Sequence, residues 1–229
     1  MSGAQAERRV IGERCVIVYR TGAAPTRVVV YVHGFLPGGR LEGFATSVDR
    51  AWAKNFLREQ FDASGVEATF VVIEAKKSSA DRVKWPRLDA LLDALGLDAP
   101  VAAMGHSGAY STLVGWLSDP RLKHVTLLDA LYGDVSAYRE FAASPGRTMT
   151  LVATGGATLK NSRALLARLP AAQRSAWVQE RVDVPSSMTN DALAAKVLFI
   201  ESRSLDHTAL VLSQRAIPAL VRRAAFAPP

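Results

Sequence analysis

The sequence predicts an α/β protein, a three-layer αβα sandwich with a mostly parallel sheet between two layers of helices. Short runs rich in valine, isoleucine and leucine alternate along the chain with stretches whose apolar residues recur at helical spacing. Continuous apolar strands of this kind are typical of parallel sheets that are covered on both faces. No repeat and no low-complexity linker divides the chain, so we expect residues 1–229 to form a single domain.

Strands are predicted where the apolar runs are short and rich in β-branched residues. They are residues 10–11, 15–19, 27–32, 69–73, 101–104, 125–128, 149–152 and 196–200. Helices are predicted where apolar residues lie three to four positions apart. They are residues 48–61, 88–95, 107–117, 135–141, 162–169 and 208–223. Trp52, Phe56 and Phe61 share the apolar stripe of the first helix and are assigned to the core. The only sizeable insertion, residues 170–193, is a candidate flap.

The composition favours a protein of the cytoplasm. Its 49% hydrophobic and 21% charged residues are ordinary for a globular protein, and no apolar run is long enough to cross a membrane. The single cysteine, Cys15, excludes an internal disulfide and is expected to be buried. Residues 1–9 are polar and predict no signal peptide, although a secreted or periplasmic location stays open if a signal has been removed. The net charge of +7 favours anionic partners but is spread along the chain, which argues against nucleic acid.

The most informative stretch is the turn that contains Gly105, Ser107 and Ala109. A serine between a predicted strand and a predicted helix, flanked by small residues, is held clear of the backbone where its oxygen can attack. Small residues two positions before and after it let the strand and the helix approach closely. The alternative is that Ser107 is an ordinary helix N-cap.

Polar residues follow several predicted strands directly, at the carboxyl ends where parallel sheets bind their ligands. His33 and Gly34 follow the strand at residues 27–32, and Asp129 follows the strand at residues 125–128. Glu201 follows the last strand at residues 196–200, and His207 comes six residues later. A serine, an acid and a histidine therefore occur in that order at one sheet edge. The chemistry needs all three, because a histidine must take the serine proton and a carboxylate must orient the histidine.

These motifs make the chain resemble the α/β-hydrolase superfamily, from about Val10 to Arg223. The resemblance implies an α/β-hydrolase fold with little or no lid domain. It also implies Ser107 as the nucleophile and His207 as the base. The backbone N–H groups of Gly108 and Phe35 would then bind the oxyanion.

The acid departs from the commonest pattern of that family. The usual position follows the strand at residues 149–152, where this chain has no carboxylate. Some relatives place the acid one strand earlier, which assigns the role to Asp129, with Asp134 as the second choice. Asp206 precedes His207 directly, so its side chain is expected to point away from the ring.

The other histidines are given no chemical role. His33 is predicted to be structural, His106 to flank the nucleophile without chemistry, and His124 to be exposed. No ligand spacing among them predicts a metal site, and no cofactor is expected. Asp129 could instead cap the helix that follows it.

The expected function is hydrolysis of an ester or amide bond in a small molecule or polymer end, by an esterase-like or peptidase-like enzyme. A cofactor-free peroxidase or lyase and a catalytically silent binding protein remain as alternatives. No membrane partner is expected, and the oligomeric state is not predicted. An electropositive mouth would favour an anionic substrate. The basic residues predicted near the site are Arg40, Lys76, Lys77, Arg82, Lys84, Lys160, Arg163 and Arg203. The acids that would offset them are Asp81, Asp134, Glu201 and Asp206.

Overall fold

The protein is built around one twisted sheet. The structure is a computed structural model that describes residues 5–22, 25–36, 40–178 and 194–226. Within those residues nine strands form the sheet, in the spatial order β1-β2-β4-β3-β5-β6-β7-β9-β8. The strands are β1 (Ala6–Ile11), β2 (Arg14–Arg20), β3 (Val28–Val32), β4 (Thr69–Ile73), β5 (Val101–His106), β6 (Leu122–Leu128), β7 (Thr148–Ala153), β8 (Arg174–Val178) and β9 (Val197–Glu201).

Only the first strands depart from the parallel arrangement. β1 pairs with β2 and β2 pairs with β4 in antiparallel fashion, and every other neighbouring pair is parallel. Gly12 makes the tight turn between β1 and β2 at a φ of 61°, a left-handed conformation that suits glycine. The prediction of a mostly parallel sheet is therefore confirmed.

Helices cover both faces of the sheet, as the sequence predicts. They are α1 (Ser47–Lys54), α2 (Leu57–Ser64), α3 (Leu88–Leu95), α4 (Tyr110–Leu113), α5 (Val135–Ala143), α6 (Gly156–Ala167), α7 (Ala209–Leu212) and α8 (Ala216–Phe226). The apolar core falls into two clusters, one on each face. Helices α3, α4, α5 and α6 supply the first, and α1, α2, α7 and α8 supply the second. The three-layer arrangement is confirmed.

Two predicted helices are broken where a residue takes a left-handed conformation. The helix predicted at residues 48–61 divides at Phe56, which has a φ of 49° and begins α2. Phe56 is 43% exposed, so its assignment to the core was wrong, although Phe61 is fully buried. The helix predicted at residues 208–223 divides near Gln214, which has a φ of 58°. Hydrophobic spacing does not reveal such breaks, because it continues across both of them.

The region between β7 and β9 holds an additional strand. Residues 174–178 of the candidate flap form β8, which pairs in parallel with β9 at the edge of the sheet. Residues 171–173 of the flap form a short 3₁₀ turn, and residues 179–193 lie outside the described residues. Between β6 and β7 there is a single helix, α5, so no lid domain is inserted there. In the described part of the chain, none of the helices is both long and apolar enough to cross a bilayer.

His124 is buried, and the prediction that it is exposed was wrong. It lies within β6 rather than before it, and only 1% of the residue is exposed. Its ring hydrogen-bonds the hydroxyls of Thr148 at 2.8 Å and Thr126 at 2.9 Å. Burial lowers the pKa of His124 well below its usual value, so the ring is neutral. β6 begins at Leu122, three residues before the run at residues 125–128 from which the strand was predicted. His124 therefore fell outside the predicted strand. Cys15 is buried as predicted.

Candidate active site

The strand register brings several polar residues to one edge of the sheet. Val32 of β3 pairs with Gly105 of β5, and His106 pairs with Leu128 of β6. The residues that come next, His33, Ser107 and Asp129, therefore follow neighbouring strands at the same carboxyl edge. Each position is set by the length of a buried apolar run, because the chain turns where the apolar run ends.

Ser107 lies in a strained turn between β5 and a short 3₁₀ turn, Ser107–Ala109. Its φ of 54° is in the left-handed region, which costs a non-glycine residue on the order of 1–3 kcal/mol. The surrounding packing maintains it. A Cβ on Gly105 would come within 2.7 Å of Leu113 and 3.0 Å of Ala109, so the strand and the following helix need small residues here. Ser107 is partly exposed.

Asp129 and His207 are joined by a hydrogen bond. His207 Nδ1 lies 2.7 Å from Asp129 Oδ2, although 78 residues separate the two in the chain. Asp129 is buried, with 4% of the residue exposed, and has a φ of 45°. Since Nδ1 donates its proton to the carboxylate, Nε2 of the neutral ring is free to accept one.

Two threonines that the sequence analysis did not single out complete the surroundings of this carboxylate. The Thr154 N–H and hydroxyl donate to it at 3.0 and 2.7 Å, and the Thr158 hydroxyl donates to Oδ1. Burial alone would raise the pKa of Asp129, but the hydrogen bonds from His207, Thr158 and Thr154 together lower it to about 2. Both threonines come from the segment after β7, which lacks a carboxylate. The presence of two threonine hydroxyls in the segment that follows β7 was the signal in the sequence for Thr154 and Thr158.

The other candidate acids make different contacts. Asp134 is exposed at the start of α5 and makes no side-chain cap there. Asp206 accepts hydrogen bonds from the N–H groups of Thr208 at 2.9 Å and Ala209 at 2.7 Å, so it caps the start of α7. Its side-chain hydrogen bonds are therefore to the backbone of residues 208–209, whereas the His207 ring is bonded to Asp129.

His33 fixes the loop that follows β3. The Ala75 N–H donates to His33 Nε2 at 3.2 Å, so Nδ1 carries the proton and donates to the Gly34 carbonyl at 2.6 Å. Burial lowers the pKa of His33 to about 4, which keeps the ring neutral. Both ring nitrogens are therefore engaged within the protein, and neither is available to a metal. Across the described residues, no three histidine, cysteine or acidic side chains form a metal-binding group.

Phe35 packs against the serine turn. A Cβ on Gly108 would overlap the Phe35 ring, so only glycine allows this approach. The Gly108 N–H is at the start of a helical turn, where backbone N–H groups lack an intrahelical acceptor. The Leu36 N–H donates to the Lys77 carbonyl at 2.8 Å, which joins the Phe35 loop to the segment after β4.

His106 lies against His207. The two ring centroids are 4.5 Å apart, and His106 Nε2 lies 2.9 Å from the His207 carbonyl oxygen. A carbonyl can only accept, so Nε2 carries the proton. Tyr132 also contacts the His207 ring, edge to face with the ring centroids 6.4 Å apart, and is 43% exposed. Neither residue was given a role from the sequence.

The basic side chains around the site differ in whether a carboxylate is paired with them. Arg163 and Arg203 both pair with Glu201, at 2.7 and 3.2 Å. Lys76 instead lies over Phe35, with Nζ 5.8 Å from the centre of the ring, and donates to the Ser79 carbonyl at 3.0 Å. Among the ion pairs of the described residues, none involves Lys76. A positive charge therefore remains beside Phe35.

Comparisons with known proteins found relatives only at the level of structure. No family model matches the chain, and no curated protein matches its sequence. A predicted CIB-like hydrolase from Thermoplasma acidophilum is 12% identical, with a TM-score of 0.57 over 96% of each chain. Dienelactone hydrolase from Anabaena variabilis is 12% identical, with a TM-score of 0.55 over 97% of this chain and 94% of the other. An esterase/lipase from an uncultured bacterium is 13% identical, with a TM-score of 0.58 over 99% and 84%.

Proposed function

Because this chain has the α/β-hydrolase fold, we propose that it is a serine hydrolase that cleaves an ester or amide bond through an acyl-enzyme on Ser107. The observation that carries the proposal is the 2.7 Å hydrogen bond between His207 and Asp129, at the sheet edge where the strained Ser107 turn lies. The names of the structural neighbours, which include a hydrolase, a dienelactone hydrolase and an esterase/lipase, agree with this chemistry.

In the first step His207 acts as the general base. Nδ1 is bonded to Asp129, so Nε2 takes the Ser107 proton while the serine oxygen attacks the substrate carbonyl carbon. The low pKa of Asp129 keeps it ionised, and its negative charge stabilises the imidazolium that forms. The carbonyl oxygen becomes negatively charged, and the N–H groups of Gly108 and Phe35 are the donors we propose for it. Loss of one such donor typically raises the barrier by about 2.7–4 kcal/mol.

Two steps complete the reaction: the leaving group departs, and water then hydrolyses the acyl-enzyme. The His207 imidazolium gives its proton to the leaving alcohol or amine, the carbon–heteroatom bond breaks, and the acyl group stays on Ser107. Water then attacks the ester, His207 takes a proton from it, and the acid product leaves as the serine recovers its own proton. No cofactor enters this sequence.

The substrate we propose is small and soluble. Only α5 lies between β6 and β7, and the His207 side chain is 37% exposed, so the site is open on that side. A site that is open on that side suits a short soluble substrate better than a long acyl chain. Strong activity on long-chain triglycerides at a lipid interface would contradict this proposal.

The substrate is further proposed to carry a carboxylate or phosphate. The support is Lys76, which keeps a positive charge beside Phe35 while Arg163 and Arg203 are paired with Glu201. A positive charge beside the proposed oxyanion loop attracts an anion, and salt weakens the attraction.

The decisive experiment is covalent labelling with a fluorophosphonate, followed by a panel of chromogenic esters and peptides. We expect the protein to be labelled and to turn over short esters, Ser107→Ala to lose both, and His207→Ala to label far more slowly. Labelling without ester or amide turnover would favour a non-hydrolytic enzyme of this fold. Absence of labelling in a folded protein would refute the proposal and favour a binding protein.

A further inference from the structure

We propose that His106 is a positioning residue, which holds the backbone of His207 so that the His207 ring keeps its hydrogen bond to Asp129 while Nε2 serves Ser107 in the proposed reaction. The inference rests on the proposed function, because it assigns His106 a task in the same reaction. It goes beyond the sequence analysis, in which His106 only flanked the nucleophile.

The first support is the hydrogen bond from His106 to His207. His106 Nε2 donates to the His207 carbonyl at 2.9 Å, across 101 residues of sequence. Asp129 meanwhile binds the side chain of the same residue at Nδ1. The backbone and the ring of His207 are thus held at separate points. Fixing both restricts the rotation of the ring in a way that one contact cannot, which matters because 37% of the His207 side chain is exposed.

The second support is the place of His106 between two loops. Its ring packs against the His207 ring, with centroids 4.5 Å apart and the two planes tilted by 36°. A Cβ on Gly34 would lie 3.1 Å from His106 Nδ1, so the other ring nitrogen faces the loop that carries Phe35. His106 therefore contacts the base through one edge and the proposed oxyanion loop through the other.

The ring must also be neutral for this arrangement to work. Burial and the neighbouring His207 lower the pKa of His106 to about 4. A protonated ring would repel the His207 imidazolium that forms during the reaction, whereas the neutral ring with its proton on Nε2 donates to the carbonyl and adds no charge.

Two substitutions separate the hydrogen bond from the volume of the ring. In His106→Gln the side-chain amide can place a donor near the position of Nε2, whereas His106→Phe keeps a planar ring and removes the donor. With a short chromogenic ester, we expect His106→Phe to lower kcat about tenfold to a hundredfold while KM stays within about twofold. We expect His106→Gln to retain most of kcat. Equal losses in both variants, or none in either, would overturn the proposal.

A second measurement does not depend on turnover. The His207 Nδ1 proton, held by Asp129, is expected to give a downfield proton NMR signal that His207→Ala removes. We expect the signal to persist in His106→Gln and to broaden or vanish in His106→Phe when both variants are folded by circular dichroism. An unchanged signal in His106→Phe would refute the positioning role. If the folded protein shows this NMR pattern but hydrolyses nothing, only the proposed function fails.

Discussion

Gly34 and Ser107 lie so close together that a Cβ on Gly34 would come within 2.7 Å of the Ser107 Cβ. Neither atom can yield easily, because Ser107 is in a strained turn and Gly34 is held through its carbonyl by His33. The loop after β3 and the turn after β5 therefore fit against each other only with glycine at position 34.

Gly34→Ala should consequently separate the two loops. We expect the rate of fluorophosphonate labelling to fall about tenfold to a hundredfold, since small displacements of reacting groups have effects of that size. The measurement is the labelling rate, with the thermal midpoint recorded alongside. Gly155→Ala is the matched control, because a Cβ there meets nothing within 4 Å. A Gly34→Ala protein labelled at the unmodified rate would show that the contact is unimportant.

Asp129→Asn is expected to lower kcat on the order of 10³- to 10⁴-fold, because an amide cannot stabilise the His207 imidazolium or fix its tautomer. The control is Asp134→Asn, since Asp134 is exposed, and we expect it to retain activity. Steady-state hydrolysis of one chromogenic ester measures both. The opposite pattern, with loss only in Asp134→Asn, would transfer the role of the acid to Asp134.

The hydrogen bond from Thr158 to Asp129 should appear in the pH dependence of stability. The pKa of Asp129 is lowered from 3.8 to about 2 on folding, so its contribution to the free energy of unfolding is complete above pH 3.8 and is lost toward pH 2. Thr158→Val removes one of the hydrogen bonds that lower this pKa. We therefore expect it to destabilise the protein by about 1.5–3 kcal/mol at neutral pH and to show a shallower loss in acid.

Urea unfolding at several pH values between 5 and 2 measures that difference. The same Thr158→Val substitution made in Asp129→Asn should no longer change the slope, because the titrating group is absent. If Thr158→Val shifted the free energy of unfolding equally at every pH, the link between Thr158 and the ionisation of Asp129 would be rejected.

His124→Phe should destabilise the fold without affecting the site. The substitution leaves the Thr126 and Thr148 hydroxyls without the ring nitrogens they contact, which costs on the order of 1–3 kcal/mol. His124 lies toward the amino end of β6, at the far end of the strand from Asp129, so kcat per folded molecule should be unchanged. Lys123→Ala is the control and should stay within about 0.5 kcal/mol. Urea unfolding measures the stability of His124→Phe, and the ester assay measures its kcat. A loss of kcat per folded molecule would contradict the assignment of His124 to the stability of the fold alone.

Lys76→Gln should weaken the binding of anionic substrates selectively. We expect KM for a carboxylate-bearing ester to rise several-fold while KM for a neutral ester of similar size is unchanged, and the difference should shrink at high salt. Lys123→Gln is the control, because Lys123 lies at the amino end of β6, away from the site. It should leave both KM values unchanged. Equal KM changes for the two esters would argue that Lys76 has only a structural role.

Much of the candidate site could be predicted because its residues lie at the carboxyl ends of strands, which the sequence pattern locates. Asp129 and His33 come immediately after a buried apolar run, and Ser107 comes directly after β5, so the lengths of the strands fix their place at the sheet edge. Thr154 and Thr158 could not be assigned in this way, because a threonine after a strand has many roles. Their task depends on the carboxylate of another strand lying beside them.

The sequence by itself determined the α/β class, most of the strands and the order in which a serine, an acid and a histidine reach one edge. These depend on local hydrophobic runs, which carry their periodicity in the chain. The tertiary structure alone decided that His106 holds the His207 carbonyl, that His124 is buried among threonines, and that residues 174–178 join the sheet. The physical reason is that hydrogen-bond partners and burial are set by distant segments, and no pattern within one segment records them.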